Sequence, residues 1–153
     1  MGKFEETARK LADAQTKHDP EKVASLYAPD AVAYDPMYPE PLRGREAIRK
    51  EAAGYHKGFP DQRFEIVTVV EKDERSGAAE LRLTGTNTGS LMTPTREEMP
   101  PTNKRVDLKA AAFVRLNERG EIVEERRYYD VGTFLRQLGI VPEQAKEPVG
   151  AKR

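Results

Sequence analysis

Apolar residues recur at helical spacing through the first third of the chain. Phe4 and Leu11 lie on one face of a first helix, with charged residues on its other faces. Asp19 and Pro20 provide the cap and the first-turn proline of a second helix. A third helix spans 44–58, between two glycines. The pattern therefore predicts three helices in the amino-terminal part of the chain.

Beyond the third helix, the pattern changes to the alternation that is typical of strands. A short strand is also predicted between the second and third helices, at 31–34. Two turn sequences, at 73–77 and 117–120, join neighbouring strands as hairpins. A short helix is expected at 133–138. The alternating stretches cover 64–71, 78–88, 105–116 and 121–130.

This order of elements predicts an α+β fold in which the three helices cover one face of a curved, mainly antiparallel sheet. Such an arrangement forms a cone, and cones of this kind hold pockets. Residues 90–104 carry three prolines and no period, so we expect a long, mobile loop near the mouth of the cone. One domain over 1–140 and a polar carboxy-terminal tail over 141–153 complete the expected organisation.

Charge and composition narrow the classes of function. Lys plus Arg number 26 and Asp plus Glu number 26, so no net charge draws the chain to nucleic acid or to an anionic membrane. The chain contains no cysteine and two histidines, which excludes thiol chemistry and disfavours a histidine-rich metal site. No apolar run approaches the length of a membrane span, and the first residues do not form a secretory signal. We therefore expect a cytoplasmic protein.

A set of short motifs stands in a fixed order between the first helix and Gly139. The motifs are LYAPDAV at 26–32, FPD at 59–61, GTNTG at 85–89, PTNKRV at 101–106, GEIVE at 120–124, and Asp130 followed by FLRQLG at 134–139. This ordered set resembles the SnoaL-like polyketide cyclases of the nuclear transport factor 2-like superfamily. The resemblance implies a cone-shaped fold, homodimers formed through the sheet, and acid/base chemistry without a metal or an organic cofactor.

The last predicted strand carries the first candidate site. Period-2 geometry places alternate residues of this strand on one face, which would line the cone and contact the substrate. By the resemblance, Asp130 is the principal base, which removes a proton next to a carbonyl before ring closure. The alternative is that Asp130 caps the helix that starts near Thr133. The residues of this face are Ile122, Glu124, Arg126, Tyr128 and Asp130.

A second candidate carboxylate, Asp35, ends the short predicted strand. The segment 27–44 is similar to the segment of ketosteroid isomerases and polyether epoxide hydrolases that carries their catalytic Asp, which corresponds to Asp35. The oxyanion-hole residues of the isomerase would fall on Leu11 and Ala111, which disfavours an isomerase mechanism. Tyr34 is a candidate partner for a substrate oxygen. The alternative role for Asp35 is a local turn with the proline that follows it.

Two more residues are candidate substrate contacts. The resembled family often has His at the position of Asn87 and Trp at the position of Arg126. Because an amide does not transfer a proton, the expected role of Asn87 is to orient or polarise a carbonyl. His56 lies near the carboxyl end of the third helix, where the helix dipole favours a cation, so a structural role competes with substrate contact there.

The sequence therefore predicts a cofactor-independent acid/base enzyme. It would act on a carbonyl-containing small molecule, hydrophobic or polyketide-like, by proton abstraction and ring closure. Ketosteroid isomerase-like and epoxide hydrolase-like reactions are the enzymatic alternatives, and a non-catalytic small-molecule-binding dimer is the third. Val67, Val69 and Val123 are assigned to the outer face of the sheet, where apolar side chains favour a homodimer.

Overall fold

The helices and strands are those of a computed structural model, which describes residues 2–93 and 95–140. The helices are α1 (Lys3–Thr16), α2 (Pro20–Ser25), α3 (Gly44–Gly58) and α4 (Val131–Gln137). The strands are β1 (Tyr27–Tyr34), β2 (Leu42–Arg43), β3 (Arg63–Asp73), β4 (Ser76–Thr86), β5 (Leu91–Met92), β6 (Glu98–Met99), β7 (Arg105–Leu116) and β8 (Ile122–Tyr128). The predicted tail at 141–153 lies outside the described residues.

The main sheet has the strand order β2-β1-β8-β7-β4-β3. Strands β1 and β8 run parallel, and the other neighbouring pairs of this sheet are antiparallel. With three helices before β3, this curved sheet confirms the predicted α+β fold. The predicted strand at 105–116 coincides with β7, whereas β1 begins at Tyr27 rather than at residue 31.

Helices α1 to α3 lie over the two edges of the sheet, α4 contacts the middle strand β7, and part of the inner face between them is only half-buried. Helix α1 packs against β3, α3 packs against β1, and α2 contacts both helices. The middle strands turn Leu81, Leu83 and Ala110 toward the helices, yet all three stay half-buried. We call this half-buried inner face of β4 and β7 the hollow. The closed core beside it consists of Phe4, Ala14, Val23, Tyr27, Ala31, Ala33, Ile48, Ala52, Leu116 and Ile122.

The segment 90–104 contains a short hairpin, β5–β6, which the sequence did not predict. Strands of two residues are too short to show a period, so alternation gives no signal for them. Leu91 of this hairpin packs against Gly58 at the carboxyl end of α3, where a Cβ atom would collide with the Leu91 side chain. The hairpin therefore lies at that end of the helix. The mobility of the segment stays a prediction.

An irregularity at the start of β8 decides which of its side chains face the helices. Leu116 of β7 pairs with Ile122, and Arg115 pairs with Glu124, so Val123 has no partner in β7. Such a bulge adds one residue to a strand and turns every later side chain to the opposite face. The prediction that Glu124, Arg126 and Tyr128 point toward the helices is therefore wrong.

Candidate active site

A cluster of buried polar side chains lies between β1, β8 and α3, beside the hollow. Strand β8 contributes an acid and a base on its inner face, and Ala33 of β1 pairs in register with that acid. Helix α3 contributes a second acid, and the residue after β1 contributes the third. We call this group the carboxylate cluster: Asp35, Glu51, Glu125, Arg127 and the phenols Tyr27, Tyr38 and Tyr129.

Arg127 lies at the centre of the carboxylate cluster. Its Nη1 atom is 3.0 Å from Asp35 Oδ2 and 2.7 Å from Glu51 Oε2, and its Nε atom is 3.1 Å from Glu125 Oε1. The Asp35 and Glu125 side chains are 6% and 7% exposed. Burial on its own lowers the pKa of Arg127, but the attraction of Glu51 and Glu125 raises this pKa well above its usual range. Arg127 is therefore a permanent cation.

Each phenol of the cluster donates a hydrogen bond to a different carboxylate. Burial raises the pKa of all three phenols well above the usual range, and the charge of the neighbouring carboxylate raises it further. The phenols are therefore neutral donors at any physiological pH. The bonds are Tyr27 to Glu125 at 2.7 Å, Tyr38 to Glu51 at 2.8 Å and Tyr129 to Asp35 at 2.6 Å.

Asp35 forms the local turn that the sequence offered as one of its two roles, and its carboxylate also points into the cluster. Its Oδ1 atom accepts a hydrogen bond of 2.9 Å from the Met37 amide, which closes the expected local turn. The same carboxylate faces inward and meets Arg127 and Tyr129. A fixed, largely desolvated carboxylate is a suitable proton acceptor, whereas each phenol of the cluster already donates its one proton to a carboxylate. The cluster therefore holds the parts of an acid/base site.

Asp130 lies at the amino terminus of α4, and its side chain is 68% exposed. Its carboxylate accepts hydrogen bonds from the Gly132 amide at 3.0 Å and from the Thr133 hydroxyl at 2.7 Å. The Thr133 hydroxyl lowers the pKa of the Asp130 carboxyl. This is the cap that the sequence offered as the alternative, and the expected inward orientation of Asp130 is wrong.

The other predicted residues of the last strand lie on the outer face of the sheet, away from the helices. Glu124 pairs with Arg126 at 2.8 Å, and the Arg126 guanidinium lies over the Phe113 ring at 5.5 Å. Tyr128 contacts the same ring edge-on. Tyr34, which pairs with Arg126 across β1 and β8, is 44% exposed. The expectation that Glu124, Arg126 and Tyr128 line the cone is therefore wrong, and Tyr34, a predicted substrate contact, lies on the same outer face.

Asn87 is fully buried, and its amide is saturated with hydrogen bonds. Its Nδ2 atom donates to the carbonyls of Gly58 and Gly89, at 3.0 and 2.8 Å. Its Oδ1 atom accepts from the amide and the hydroxyl of Thr102, at 2.8 and 3.0 Å. Two donors and two acceptor positions are all that an amide offers. In this structure the Asn87 side chain links Gly58, Gly89 and Thr102. No donor or acceptor position of its amide is left for a substrate carbonyl.

His56 is buried between helices and is separate from the carboxylate cluster. Its Nε2 atom is 2.8 Å from Gln15 Oε1, and its ring stacks on His18 with 4.9 Å between centroids. Burial, and then the neighbouring His18, lower the pKa of His56 to about 4, so the ring is neutral at pH 7. These contacts favour the structural role.

The sequence prediction missed four residues of the carboxylate cluster. Three lie in β8 or directly after it, and one lies in α3. Glu125 and Arg127 alternate with the residues that were predicted to face inward, so the predicted pattern placed them on the opposite face. The usable signal was on β1, where Ala31, Ala33 and Asp35 alternate and Asp35 follows two buried alanines. A buried acid needs a cation or hydrogen-bond donors close to it, and in this structure the parallel neighbour β8 supplies Arg127. The missed residues are Glu51, Glu125, Arg127 and Tyr129.

Other parts of the described chain offer less chemistry. Within residues 2–93 and 95–140, His, Asp and Glu side chains form no group of three or more that could hold a metal ion. None of the helices in these ranges has the length and apolar character that a membrane crossing requires. A cleft of about 530 Å³ at the far end of the sheet is lined by Lys72, Asp73, Glu74, Arg75, Ser76, Arg115 and Leu116, and it includes no residue of the carboxylate cluster.

The fold and its buried acid/base cluster define an α+β cone of the nuclear transport factor 2-like class. Residues 5–138 match the model of the SnoaL-like polyketide cyclase family, and the chain belongs to this family. No curated protein sequence gives a significant match.

Solved structures share the fold at low sequence identity. A SnoaL-like protein from Jannaschia sp. CCS1 is 19% identical, with 92% of this chain and 94% of that chain covered and a TM-score of 0.75. IdmH from Streptomyces antibioticus is 27% identical over 89% and 98% of the two chains, with a TM-score of 0.69. The epoxide hydrolase/cyclase-like enzyme SalBIII, which acts in pyran ring formation in salinomycin, is 19% identical over 86% and 93%, with a TM-score of 0.70.

Proposed function

We propose that the chain is a cofactor-independent acid/base enzyme with a polyketide cyclase-like reaction, and that Asp35 is its base. One observation carries this proposal. The Asp35 carboxylate is almost buried, is fixed by Arg127 and Tyr129, and stands on the inner side of the sheet. A base at this position would be shielded from water and would lie beside the hollow.

The proposed reaction begins with a carbonyl compound in the hollow. Asp35 takes a proton from the carbon next to a carbonyl, and the electron pair of that C–H bond moves to the carbonyl oxygen. The enolate carbon then attacks a second carbonyl of the same molecule, which closes a ring and leaves an alkoxide. The proton held by Asp35 returns to this alkoxide. The half-buried Leu81, Leu83 and Ala110 would contact the apolar body of the substrate.

Epoxide opening is the second candidate reaction, because two carboxylates share one guanidinium nitrogen. Asp35 and Glu51 both bind Arg127 Nη1, at 3.0 and 2.7 Å. One carboxylate would activate a water or an internal hydroxyl, and the other, once protonated, would donate its proton to the epoxide oxygen. The fold shared with SalBIII, itself epoxide hydrolase/cyclase-like, supports this candidate.

Deuterium exchange tests the base without knowledge of the natural substrate. A panel of cyclic ketones and β-keto esters in D₂O should exchange the protons next to their carbonyls faster with the enzyme, as measured by NMR. Asp35→Asn should slow the catalysed exchange at least about a hundredfold, because an amide accepts hydrogen bonds but does not take up a proton. Asp130→Asn is the matched control and should keep it.

Three results would contradict parts of the proposal. Full exchange in Asp35→Asn, with the fold intact, rules out Asp35 as the base. Hydrolysis of test epoxides without any ketone exchange favours the second candidate reaction. Binding of ketones without exchange or hydrolysis identifies a non-catalytic small-molecule-binding protein.

The outer face of the sheet supports a homodimer, which we also propose. Val67, Val70, Phe113 and Tyr128 are large apolar or aromatic side chains with 44–61% exposure. Val69, which was assigned to this face, packs against the core instead, because the register of β3 shifts between Ile66 and Thr68. Light scattering at micromolar concentration should give twice the chain mass. Phe113→Glu should shift it to the monomer mass, and a monomeric wild type would contradict the proposal.

A further inference from the structure

The Arg127 guanidinium has more hydrogen-bond donors than its partners in the carboxylate cluster use. A guanidinium carries five N–H groups, one on Nε and two on each Nη atom. Nε donates to Glu125, and Nη1 donates to both Asp35 and Glu51. The Nη2 atom makes no hydrogen bond to any of residues 2–93 or 95–140. Both N–H groups of Nη2 therefore remain for another partner.

This nitrogen lies beside the hollow. Arg127 pairs in register with Ala112 of β7, and Ala110, a residue of the hollow, lies two positions away on the same strand. The small alanine side chains leave space on the inner face of the sheet. The Arg127 side chain is 18% exposed, and solvent reaches Nη2, whereas it does not reach the unpaired polar atoms of His56 and Gln62. Because Arg127 points to the inner face, this accessible part borders the hollow.

In the part of the chain that the structure describes, the other donors of the cluster are already in use. The hydroxyls of Tyr27, Tyr38 and Tyr129 each donate their single proton to a carboxylate. The Met37 amide donates to Asp35. Carboxylates only accept. An oxygen atom of a ligand at the cluster would therefore bind to Arg127 Nη2.

We propose that Arg127 is a second catalytic residue, whose Nη2 atom binds the carbonyl oxygen of the substrate while Asp35 removes the neighbouring proton. This inference rests on the proposed function and adds the group that receives the negative charge. Asp35 is bound to Nη1, so a carbonyl oxygen on Nη2 places the carbon next to that carbonyl beside the Asp35 carboxylate. One planar group then positions both the base and the substrate.

The proton transfer moves a negative charge from one side of the guanidinium to the other. Asp35 takes the proton and becomes neutral, and the electron pair of the C–H bond moves to the carbonyl oxygen. The charge thus leaves the partner of Nη1 and appears on the partner of Nη2. The cluster holds three carboxylates and one cation, so an additional charge is unfavourable there, but this step adds none. Arg127 binds the charge before and after the step and stabilises the enolate.

Asp35→Asn resembles the enzyme after its base has taken the proton, because asparagine has the shape of the acid and no charge. A ligand with an anionic oxygen then restores the charge that the substitution removes. Para-nitrophenol is the probe, since its phenolate resembles an enolate and absorbs visible light, which the neutral phenol does not. Equilibrium dialysis gives the affinity, and absorbance gives the ionised fraction of the bound probe.

Asp35→Asn should bind the phenolate at least about tenfold more tightly than the wild type, because the like charge of Asp35 opposes binding in the wild type. The bound probe should be ionised to a larger fraction than the free probe at the same pH. In a crystal structure of this complex, the probe oxygen should lie about 3 Å from Arg127 Nη2. Asp130→Asn removes the same charge from an exposed position and should bind the probe as the wild type does.

Arg127→Lys, made in the Asp35→Asn variant, tests the guanidinium itself. Lysine keeps the positive charge but has a single nitrogen, which the acids of the cluster surround, so no separate donor faces the hollow. The phenolate should therefore bind about tenfold more weakly than it binds to Asp35→Asn. Arg126→Lys in the same variant is the control on the outer face and should leave binding unchanged. Circular dichroism checks the fold, and the crystal structure decides if the Arg127→Lys variant does not fold.

The possible results separate this inference from the proposed function. The inference is wrong if Asp35→Asn binds the phenolate no more tightly than the wild type, if folded Arg127→Lys keeps the tighter binding, or if the probe oxygen lies away from Nη2. If phenolate binding depends on Arg127 but the wild type catalyses no ketone exchange, the Arg127 contact stands and the proposed function fails. If ketone exchange requires Asp35 but phenolate binding does not depend on Arg127, the proposed function stands alone.

Discussion

The two faces of β8 carry nearly the same side chains in different surroundings. The inner face presents Glu125 and Arg127 to three phenols and two more carboxylates. The outer face presents Glu124 and Arg126, which pair at 2.8 Å in contact with solvent. A buried charged group destabilises the fold unless its partners are present, whereas an exposed ion pair contributes little to stability. Burial, and not residue type, therefore separates the candidate site from an ordinary surface.

The largest expected difference between the faces concerns the two arginines. Arg127→Met should lower the free energy of unfolding by about 3–5 kcal/mol, because it leaves buried carboxylates without their cation. In the single chain Arg126 is an exposed partner of Glu124, so at concentrations too low for the proposed dimer Arg126→Met should leave it unchanged within error. Urea unfolding followed by circular dichroism gives both values. Equal losses in the two variants would show that the faces do not differ in burial.

The tyrosines at the end of the strand offer the second comparison. Tyr129→Phe removes a 2.6 Å hydrogen bond to the Asp35 carboxylate and should cost about 1.5–3 kcal/mol of stability. Tyr128→Phe removes a hydroxyl from a side chain that is 55% exposed in the single chain and, under the same dilute conditions, should change stability by less than about 0.5 kcal/mol. The same unfolding assay measures both. A loss in Tyr128→Phe as large as that in Tyr129→Phe would contradict the assigned faces.

The sequence could not decide between these faces. Residues 124–129 read Glu-Glu-Arg-Arg-Tyr-Tyr, so each face of the strand receives one acid, one base and one phenol. Alternation from Ile122 selects the wrong set, because the bulge at Val123 adds one residue to the strand. A bulge depends on pairing with β7 and leaves no mark in the local pattern. The fold was predictable, since helix and strand periods are local, but the inner face of β8 was not.

Asp35 and Glu51 show two other limits of the sequence. Asp35 was predicted because it ends a short strand and because the segment 27–44 is similar to the segment that carries the catalytic Asp of ketosteroid isomerases. Glu51 was missed because it lies on a helix rich in charged residues, where an acid normally faces solvent. Its inward direction depends on how α3 packs against β1. Tertiary packing, which no local pattern encodes, therefore assembled the site.

Buried polar groups also make the stability of the fold depend on pH. Burial lowers the pKa of His56 to about 4 from 6.5, so the unfolded chain binds its proton more readily than the folded chain. Stability is therefore complete above pH 6.5 and falls as the pH decreases toward 4. The expected loss from His56 between pH 7 and pH 5 is about 1–2 kcal/mol.

His56→Gln isolates this contribution, because glutamine does not titrate. The free energy of unfolding, measured by urea titration at several pH values, should fall less steeply for this variant than for the wild type between pH 6.5 and pH 5. Asp19 and His18 are the titratable neighbours whose charges act on His56, and both remain in the variant. Parallel curves for the two proteins would show that His56 takes up its proton equally in the folded and unfolded states.

The smallest expected effect concerns Asp130, the exposed cap of α4. Asp130→Ala should lower the melting temperature slightly, because the Gly132 amide and the Thr133 hydroxyl lose their acceptor. The lowered pKa of Asp130 gives this effect a pH limit. The stabilisation is present above the usual carboxyl pKa and is lost as the pH falls through the lowered value. Calorimetry at pH 7 and at pH 2 measures the difference.

Asp130→Asn is the control for this cap. It also tests whether the exposed carboxylate at the end of the strand, and not the buried cluster, is needed for exchange. Asparagine keeps the cap but lacks the charge, so the melting temperature should fall less than in Asp130→Ala. Ketone exchange should also persist, because the Asp130 carboxylate points to solvent and lies outside the carboxylate cluster. If Asp130→Asn kept its fold but lost exchange, the exposed end of the strand would be the reactive side. The buried cluster would then serve to hold β1, β8 and α3 together.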